Sequence, residues 1–466
     1  MGTASTVADD LTALASTVRG DVFTLEDEGY DEARSIWNAM IDRRPAAIVQ
    51  CAGTADVIDA VGFAREHELP LAVRGGGHNI AGSALRDDGL VVDLSTMRSV
   101  AVDPRTKTAR VEGGATLADF DHEAQAFGLA TPLGINSTTG VAGLTLGGGF
   151  GWLTRKYGYT IDNLRSVELV TADGELRHIS EDSHPDLFWG IRGGGGNFGV
   201  VTSFEFDLHE VGPEVLCGPI VYHGDDAVDV MKNLREFNAN APEEFSGWAV
   251  LRGAPPLPFL PEEVHGVGVA LVVAFYAGDV EAGEEVMAPL RAYGDPIADA
   301  VQPTPYAAFQ QAFDPLLEPG ARNYWKSHNL AELSDTAIET AVEYAENLPS
   351  PLSEIFFAQV GGEGARVPAD ATAYPHRNVA YIMNVHTRWT EPEQDDDCVA
   401  WAREFYDAMA SHATGGAYVN FISESAGEES RAYGENYDRL VALKDEYDPT
   451  NLFSTNQNVK PSAAAD

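Results

Sequence analysis

Lysine is scarce in this chain. Only six stand among 466 residues (107, 156, 232, 326, 444 and 460), and arginine supplies the rest of the 30 basic side chains. Set against 72 acidic residues, they leave a formal net charge of −42. So acidic a surface repels phosphate backbones and anionic lipid, which excludes nucleic acid and membrane surfaces as partners. The carboxylates are spread along the whole length and 44% of residues are hydrophobic, so the acidity is not that of a disordered tail. It fits a surface adapted to high salt, where screening removes the self-repulsion. Cysteine is scarce too. Cys51, Cys217 and Cys398 form no CxxC pair, and their odd number argues against a disulfide framework and for a reducing, cytoplasmic compartment. Long apolar runs are missing: the stretch 266–278 is rich in glycine and β-branched residues and falls short of the roughly 20 residues a membrane helix needs. The first residues carry no basic segment followed by an apolar one. With no HExxH, no paired-cysteine ligand set and no Gly-x-Ser-x-Gly elbow, neither a metal site nor a serine nucleophile is expected. These absences describe a soluble protein that handles small molecules.

Glycine, by contrast, is plentiful and clustered. The chain is too long for one core, so two or three domains are expected. From 45 to 211 helix and strand alternate. Thr54 is positioned to cap a helix with Val57, Ile58, Val61 and Ala64 on one face. Strands are expected over 69–74, 90–94, 109–113 and 200–206, with a helix starting near Thr116. Beyond 211 the glycine loops stop, and strand-like segments (267–276, 355–360, 381–385) alternate with amphipathic helices (226–237, 336–347, 398–409), as in an α+β domain on an antiparallel sheet. A last helix ends at Asp448-Pro449. The expected units are a helical lead-in over 1–44, a glycine-rich domain over 45–211, an α+β domain over 212–448 and a C-terminal segment over 449–466.

The glycine runs lie at 75–77, 134–151 and 193–199. Glycine lets backbone N–H groups approach an anionic ligand with no Cβ in the way. Gly194-x-Gly196-x-x-Gly199 matches the dinucleotide fingerprint, yet that fingerprint must open a helix, and here a strand follows. A Rossmann domain is therefore not expected.

The runs Arg74-Gly-Gly-Gly-His78-Asn79, Gly140-Val-Ala-Gly-Leu-Thr-Leu-Gly-Gly-Gly149-Phe-Gly151 and Asp186-Leu-Phe-Trp-Gly-Ile-Arg192-Gly-Gly-Gly-Gly-Asn197-Phe-Gly199 resemble those of FAD-linked oxidases of the vanillyl-alcohol-oxidase superfamily. More closely they are similar to the berberine-bridge-enzyme-like branch, the 6-hydroxy-D-nicotine oxidase type included. Tyr447-Asp-Pro-Thr-Asn-Leu-Phe453 with Asn456-Gln457-Asn458 resembles that branch's closing segment. The likeness runs in family order over nearly the whole chain, and the charge pattern points to a haloarchaeal member. It implies an FAD-binding domain of the PCMH type made of two α+β subdomains, a substrate domain with an antiparallel sheet over the flavin, and a C-terminal return to the FAD domain.

By that resemblance His78 bonds covalently to the 8α-methyl of FAD, a reaction that needs a neutral imidazole, available near neutral pH from an ordinary value of about 6.5. Arg74, Gly75, Gly76, Gly77, Asn79 and Gly82 would form the pyrophosphate loop. Gly134, Ser137, Thr138, Gly140, Gly143, Gly147 and Gly148, with Val200 and the C-terminal Asn456 and Asn458, complete the expected cofactor contacts. Asn136 stands where many members carry a second linking cysteine, so the linkage is expected to be single. Asn384 occupies the place of a family Glu or Gln over the flavin. Tyr418, in Ala417-Tyr418-Val-Asn420-Phe421, matches the family's active-site tyrosine, while Phe421 replaces a second one. Thr139 holds the place of the family's oxygen gate. His376 and His386 are spare candidates, more readily read as sheet packing. The implied activity is hydride removal from a CH–OH or CH–NH centre of a small substrate, with oxygen as acceptor. A same-fold dehydrogenase and a non-enzymatic flavin carrier are the alternatives.

Overall fold

The computed structural model describes residues 3–464 apart from 425, 426, 428 and 456. Its cofactor half is built on two sheets. In the first, strands run in the order Asp21–Thr24, Ala47–Gln50, Leu90–Asp93, Leu71–Arg74, and the last three are mutually parallel. Their near-continuous apolar sequences reflect burial on both faces. Helix Thr54–Glu66 covers one face with Val57, Ala60, Val61 and Ala64, while Tyr30, Ile36 and Leu85 close the other. Thr54 does not cap this helix. Gly53 is the N-cap, without a side-chain bond, and the Asp56 carboxylate instead takes the N–H groups of Arg19, Gly20 and Ala52.

The second sheet is antiparallel, in the order Val100–Asp103, Thr108–Glu112, Val200–Asp207, Leu164–Val170, Leu176–Ser180. Helix Leu117–Gln125 packs on it, and Thr116 forms a capping box with Asp119 at its start. Strand Val200–Asp207 follows the third glycine run directly, as expected for a chain with no Rossmann turn there.

The other half is one antiparallel sheet, ordered Ala298–Asp299, Glu214–His223, Gly268–Tyr276, Phe245–Gly253, Glu354–Gln359, Tyr381–Trp389, Arg322–Leu330, with Gln302–Pro305 added beside Glu214–His223. Helices Ala227–Asn240, Val280–Arg291, Asp335–Ala345 and Asp395–Met409 cover its outer face. The last of these buries Cys398, Ala402, Phe405 and Met409, spaced on one stripe. Truncating Phe405 to Ala there would cost about 3–5 kcal/mol. The register sends successive side chains to opposite faces. Tyr381, Met383, Val385 and Trp389 lie under the helices, and Ile382, Asn384, His386 and Arg388 point to the cofactor half.

The halves meet through an aromatic core that joins Phe150, Trp152 and Tyr159 to Trp248, Phe275, Phe309 and Tyr418. Arg377 adds a buried bidentate pair to Asp162, at 2.7 and 2.8 Å. Helix Tyr437–Tyr447, which lies before the boundary expected at 448, packs Leu440 and Leu443 into the core of the second sheet, and Phe453 reaches the first. The chain thus ends on the cofactor half. No described helix is long and apolar enough to cross a membrane.

Candidate active site

Strand Leu71–Arg74 runs into the first glycine loop, which lies directly on the second. A Cβ on Gly76 would stand 2.4 Å from the Gly140 nitrogen, and one on Gly140 would stand 2.4 Å from the Gly76 nitrogen. Both glycines are therefore required by contact of the two backbones. Gly77 and Gly82 take φ of 69° and 71°, which few other residues tolerate. From Gly75 to Ala81 no main-chain N–H meets an acceptor among the described residues. Such a run of free donors forms a cradle for an anion. Asn79 shapes the loop from within, its Oδ1 accepting the Ser83 N–H at 3.0 Å. Arg74 gives one N–H to the Ala33 carbonyl and lies 3.9 Å from Asp93, while its Nε is buried without a partner among the described residues.

The second loop is organised by Asn136, whose Oδ1 accepts both the Thr138 N–H (3.1 Å) and the Thr138 hydroxyl (2.7 Å). Ser137 turns to the substrate half, giving its N–H and its hydroxyl to Asp314. Thr139 is half-buried; its N–H and carbonyl are bonded, but its hydroxyl meets no described partner. Gly143, in helix Val141–Leu146, faces open space, whereas Gly147 lies against the Asn420 amide and Gly148 (φ 115°) against Tyr374. Gly134 makes room for Leu144, and Val200 is fully buried in its sheet.

His78 stands where the two loops meet. Its Nε2 lies 2.7 Å from Thr138 Oγ1. Because the Thr138 proton goes to Asn136, the threonine oxygen is left to accept, so Nε2 carries the imidazole proton and Nδ1 keeps its lone pair. The ring stacks on Trp37 at 4.9 Å, and Arg388 lies over the other side of this neighbourhood, 5.1 Å from the Trp37 ring. Burial, with the Arg388 charge, pushes the His78 pKa down to about 3. That shift favours the neutral imidazole.

The opposing wall is the inner face of the large sheet. Asn384 is fully buried, and neither its Nδ2 nor its Oδ1 has a partner among the described residues. Strand pairing sets Ser327 and Phe356 beside it, and Ser327 Oγ and Trp325 Nε1 are likewise buried and unpaired. An amide orphaned on both atoms costs several kcal/mol unless a ligand satisfies it. Tyr418 is buried with its oxygen accepting from Gly149 N (3.2 Å) and Asn420 Nδ2 (3.0 Å). Burial pushes its pKa well above the ordinary value, which makes it a poor base. Phe421 packs edge-on against it at 4.9 Å.

Sequence reasoning passed over a charged chain on the same face. Arg252 pairs with Glu354 at 2.6 Å, and Glu354 Oε1 lies 3.0 Å from His386 Nδ1. Burial opposes ionisation of Glu354, but Arg252 and His386 hold it down at about 2. Its signal in the sequence is only a charge recurring inside two apolar strands. His376, the other spare histidine, bonds the Ala432 carbonyl at 3.0 Å and serves the fold.

The third glycine run and the C-terminus brace each other rather than the cleft. Asn197 bonds Gly194, Gln457 and Val459, and buried Lys444 reaches Asp448 (2.6 Å), Asn197 O and Phe453 O. Asn458 Oδ1 is buried without a described partner, and Asn456 lies outside the described residues.

A donor cradle, a neutral imidazole at its edge and a wall of unpaired polar groups fit a cofactor that has a pyrophosphate and a polar ring. Comparison with known proteins agrees. Residues 45–180 match the FAD binding domain family and residues 417–460 the berberine and berberine-like family. The FAD-linked oxidoreductase YgaK of Bacillus subtilis is 32% identical over 453 residues, 95% of this chain and 97% of its own. The (R)-6-hydroxynicotine oxidase of Paenarthrobacter nicotinovorans is 30% identical over 464 residues, 96% of this chain and 98% of its own. The crystal structure of 6-hydroxy-D-nicotine oxidase from Arthrobacter nicotinovorans superposes with a TM-score of 0.86 at 29% identity, over 96% of this chain and 99% of that one. Xylooligosaccharide oxidase from Myceliophthora thermophila gives 0.83 at 26%, over 98% and 99%. With its two glycine loops, its cradle and its C-terminal return, this chain belongs to the berberine-like family of FAD-linked oxidoreductases.

Proposed function

We propose that this enzyme holds FAD covalently, through His78 alone, and removes a hydride from a CH–OH or CH–NH centre of a small organic substrate, passing the electrons to oxygen with formation of hydrogen peroxide. The observation that carries this reading is the His78–Thr138–Asn136 chain, which fixes a neutral imidazole with a bare Nδ1 at the edge of the donor cradle. A neutral nitrogen with a free lone pair is what a bond to the flavin methyl requires. Asn136, which has no thiol, offers no second bond. The free N–H groups from Gly75 to Ala81 would hold the pyrophosphate, and Asn384, Ser327 and Trp325 would orient the substrate from the opposite wall. Bound FAD supplies the two-electron acceptor; the chain supplies binding, orientation and exclusion of water. The relatives named for hydroxynicotine and for xylo-oligosaccharides support a small polar organic molecule as substrate.

The experiment is direct. Acid-precipitated protein should stay yellow, a peptide containing His78 should carry the flavin mass, and His78→Ala should release free FAD on denaturation. A colourless pellet from the natural protein, with flavin in the supernatant, would overturn the covalent reading. Slow reoxidation of the reduced enzyme in air, beside fast turnover with an artificial acceptor, would make it a dehydrogenase.

A further inference from the structure

We propose that His386, oriented by Glu354, takes the hydroxyl proton of the substrate, and that the substrate is consequently an alcohol and not an amine. The proposal deepens the reading above and rests on it. Its ground is geometric. Glu354 Oε1 lies 3.0 Å from His386 Nδ1, so the carboxylate holds the Nδ1 proton and leaves the lone pair on Nε2. Nε2 is buried and has no partner among the described residues. Glu354 is itself fixed by Arg252, from the next strand. The imidazole meets the edge of Trp325 at 4.5 Å, Trp325 meets Trp37 at 5.5 Å, and Trp37 stacks on His78. This aromatic line runs from the dyad to the cofactor loop, and Trp325 also touches Phe421 at 5.5 Å. Asn384 lies two residues from His386 on the same face, its amide unpaired. The dyad thus lies on the same face of the sheet as the unpaired polar groups of Asn384, Ser327 and Trp325.

Other groups on this wall are less suited to the task. Tyr418 accepts two hydrogen bonds and holds its proton tightly. Glu354 is occupied by Arg252 and His386, and Arg388 is a cation.

The balance is simple. The substrate C–H bond breaks and its electron pair leaves as hydride to the FAD of the family. The O–H bond breaks, its proton passes to His386 Nε2, and its electron pair becomes the C=O π bond. The substrate loses two electrons and two protons, and Glu354 stabilises the imidazolium that forms. A neutral amine needs no such base, because its nitrogen lone pair forms the iminium directly. Arg252 and Arg388 on this wall also disfavour a cationic amine.

The charged groups facing His386 are Glu354, Arg252 and Arg388. Burial lowers its pKa, partly offset by Glu354. Flavin reduction should therefore be flat near neutral pH and fall only on the acid side of the ordinary histidine range.

The test has two arms. In 15N NMR of histidine-labelled protein, one ring should carry its proton on Nδ1 with Nε2 bare; it should vanish in His386→Gln and shift its proton in Glu354→Gln. If the ring lost in His386→Gln were instead protonated on Nε2, the proposal would be overturned. In anaerobic stopped-flow with primary alcohols, secondary alcohols, reducing sugars and matching amines, His386→Gln should slow reduction by alcohols about 100-fold or more. Flavin content and substrate Kd should change less than about twofold. An unchanged rate, or reduction by amines alone, would overturn it. Should Glu354→Gln fail to fold with Arg252 unpaired, His386→Gln still decides. Flavin that washes off the natural protein would instead sink the covalent reading of His78, since noncovalent FAD bleaches as well.

Discussion

Nε2 of His78 and Oγ1 of Thr138 stand 2.7 Å apart, and the threonine hydroxyl in turn donates to Asn136. The tautomer of His78 is thus set by a side chain 60 residues away. Thr138→Val removes the acceptor and frees the ring to exchange tautomers. Attachment of FAD should slow roughly tenfold, with FAD still bound, as measured by the flavin retained after acid precipitation over time. Between pH 5 and 8 the rate in the natural protein should not follow histidine protonation, because its surroundings hold the His78 pKa well below the ordinary histidine range.

If Thr139 gates oxygen, as the family resemblance implies, its side chain should control reoxidation; its hydroxyl has no partner among the described residues. Thr139→Leu should slow reoxidation of the reduced enzyme in air by about tenfold or more while leaving anaerobic reduction within about twofold. Rapid-mixing with aerated buffer measures the first, and anaerobic stopped-flow the second. Equal loss in both would deny a gate.

Gly76 and Gly143 should separate the two uses of glycine. Gly76→Ala forces a Cβ to 2.4 Å from the Gly140 nitrogen, and should cost about 1–3 kcal/mol and most of the bound flavin. Gly143→Ala meets nothing within 4 Å. It should leave the fold intact or slightly firmer, yet reduce FAD content if that space belongs to the cofactor. Melting curves and the flavin-to-protein absorbance ratio read both.

Acid should destabilise the protein through His328. It is buried, its Nε2 is 2.9 Å from the Tyr406 carbonyl, and burial, with Arg431 and Lys326, pushes it down to about 3. The unfolded chain takes up this proton as pH falls through about 6.5, while the native state refuses it until about 3. The stabilisation is therefore complete above 6.5 and lost progressively below, by about 2 kcal/mol at pH 5. Urea unfolding at pH 7 and 5 should show the loss, reduced in His328→Gln.

The charge predicts a response to salt. Basic side chains are too few to pair most of the 72 carboxylates. Raising NaCl from about 0.1 M to about 1 M shortens the Debye length from about 10 Å to about 3 Å. The melting temperature should rise by roughly 5 °C or more. An unchanged or lower value would refute adaptation to high salt.

Legibility from sequence followed the range of the signal. The glycine loops were readable because backbone contact and positive φ demand one residue type at named positions, as at Gly76 and Gly77. Helix Asp395–Met409 declared itself by its apolar stripe. Strand Arg322–Leu330 did not, because it is largely buried while its inner face is polar, which breaks the usual alternation. The dyad was illegible for another reason: Glu354 and His386 lie 32 residues apart, Arg252 and Glu354 102. Only strand register joins them. Thr54 looked like a cap, but the helix starts one residue earlier, where the Gly53 carbonyl accepts the N–H groups of Asp56 and Val57.

The two walls of the cleft are made of different material. One is main chain, held by glycines whose neighbours leave no room for a side chain; the other is side chains on alternate positions of a sheet anchored beneath by four helices. Exchange of residues such as 325, 327 and 384 leaves backbone register intact, whereas almost any exchange at 76 or 140 disturbs it. Selection can thus revise what the enzyme accepts without revisiting how it carries its flavin, and a new specificity lies a few substitutions away on a surface that already folds.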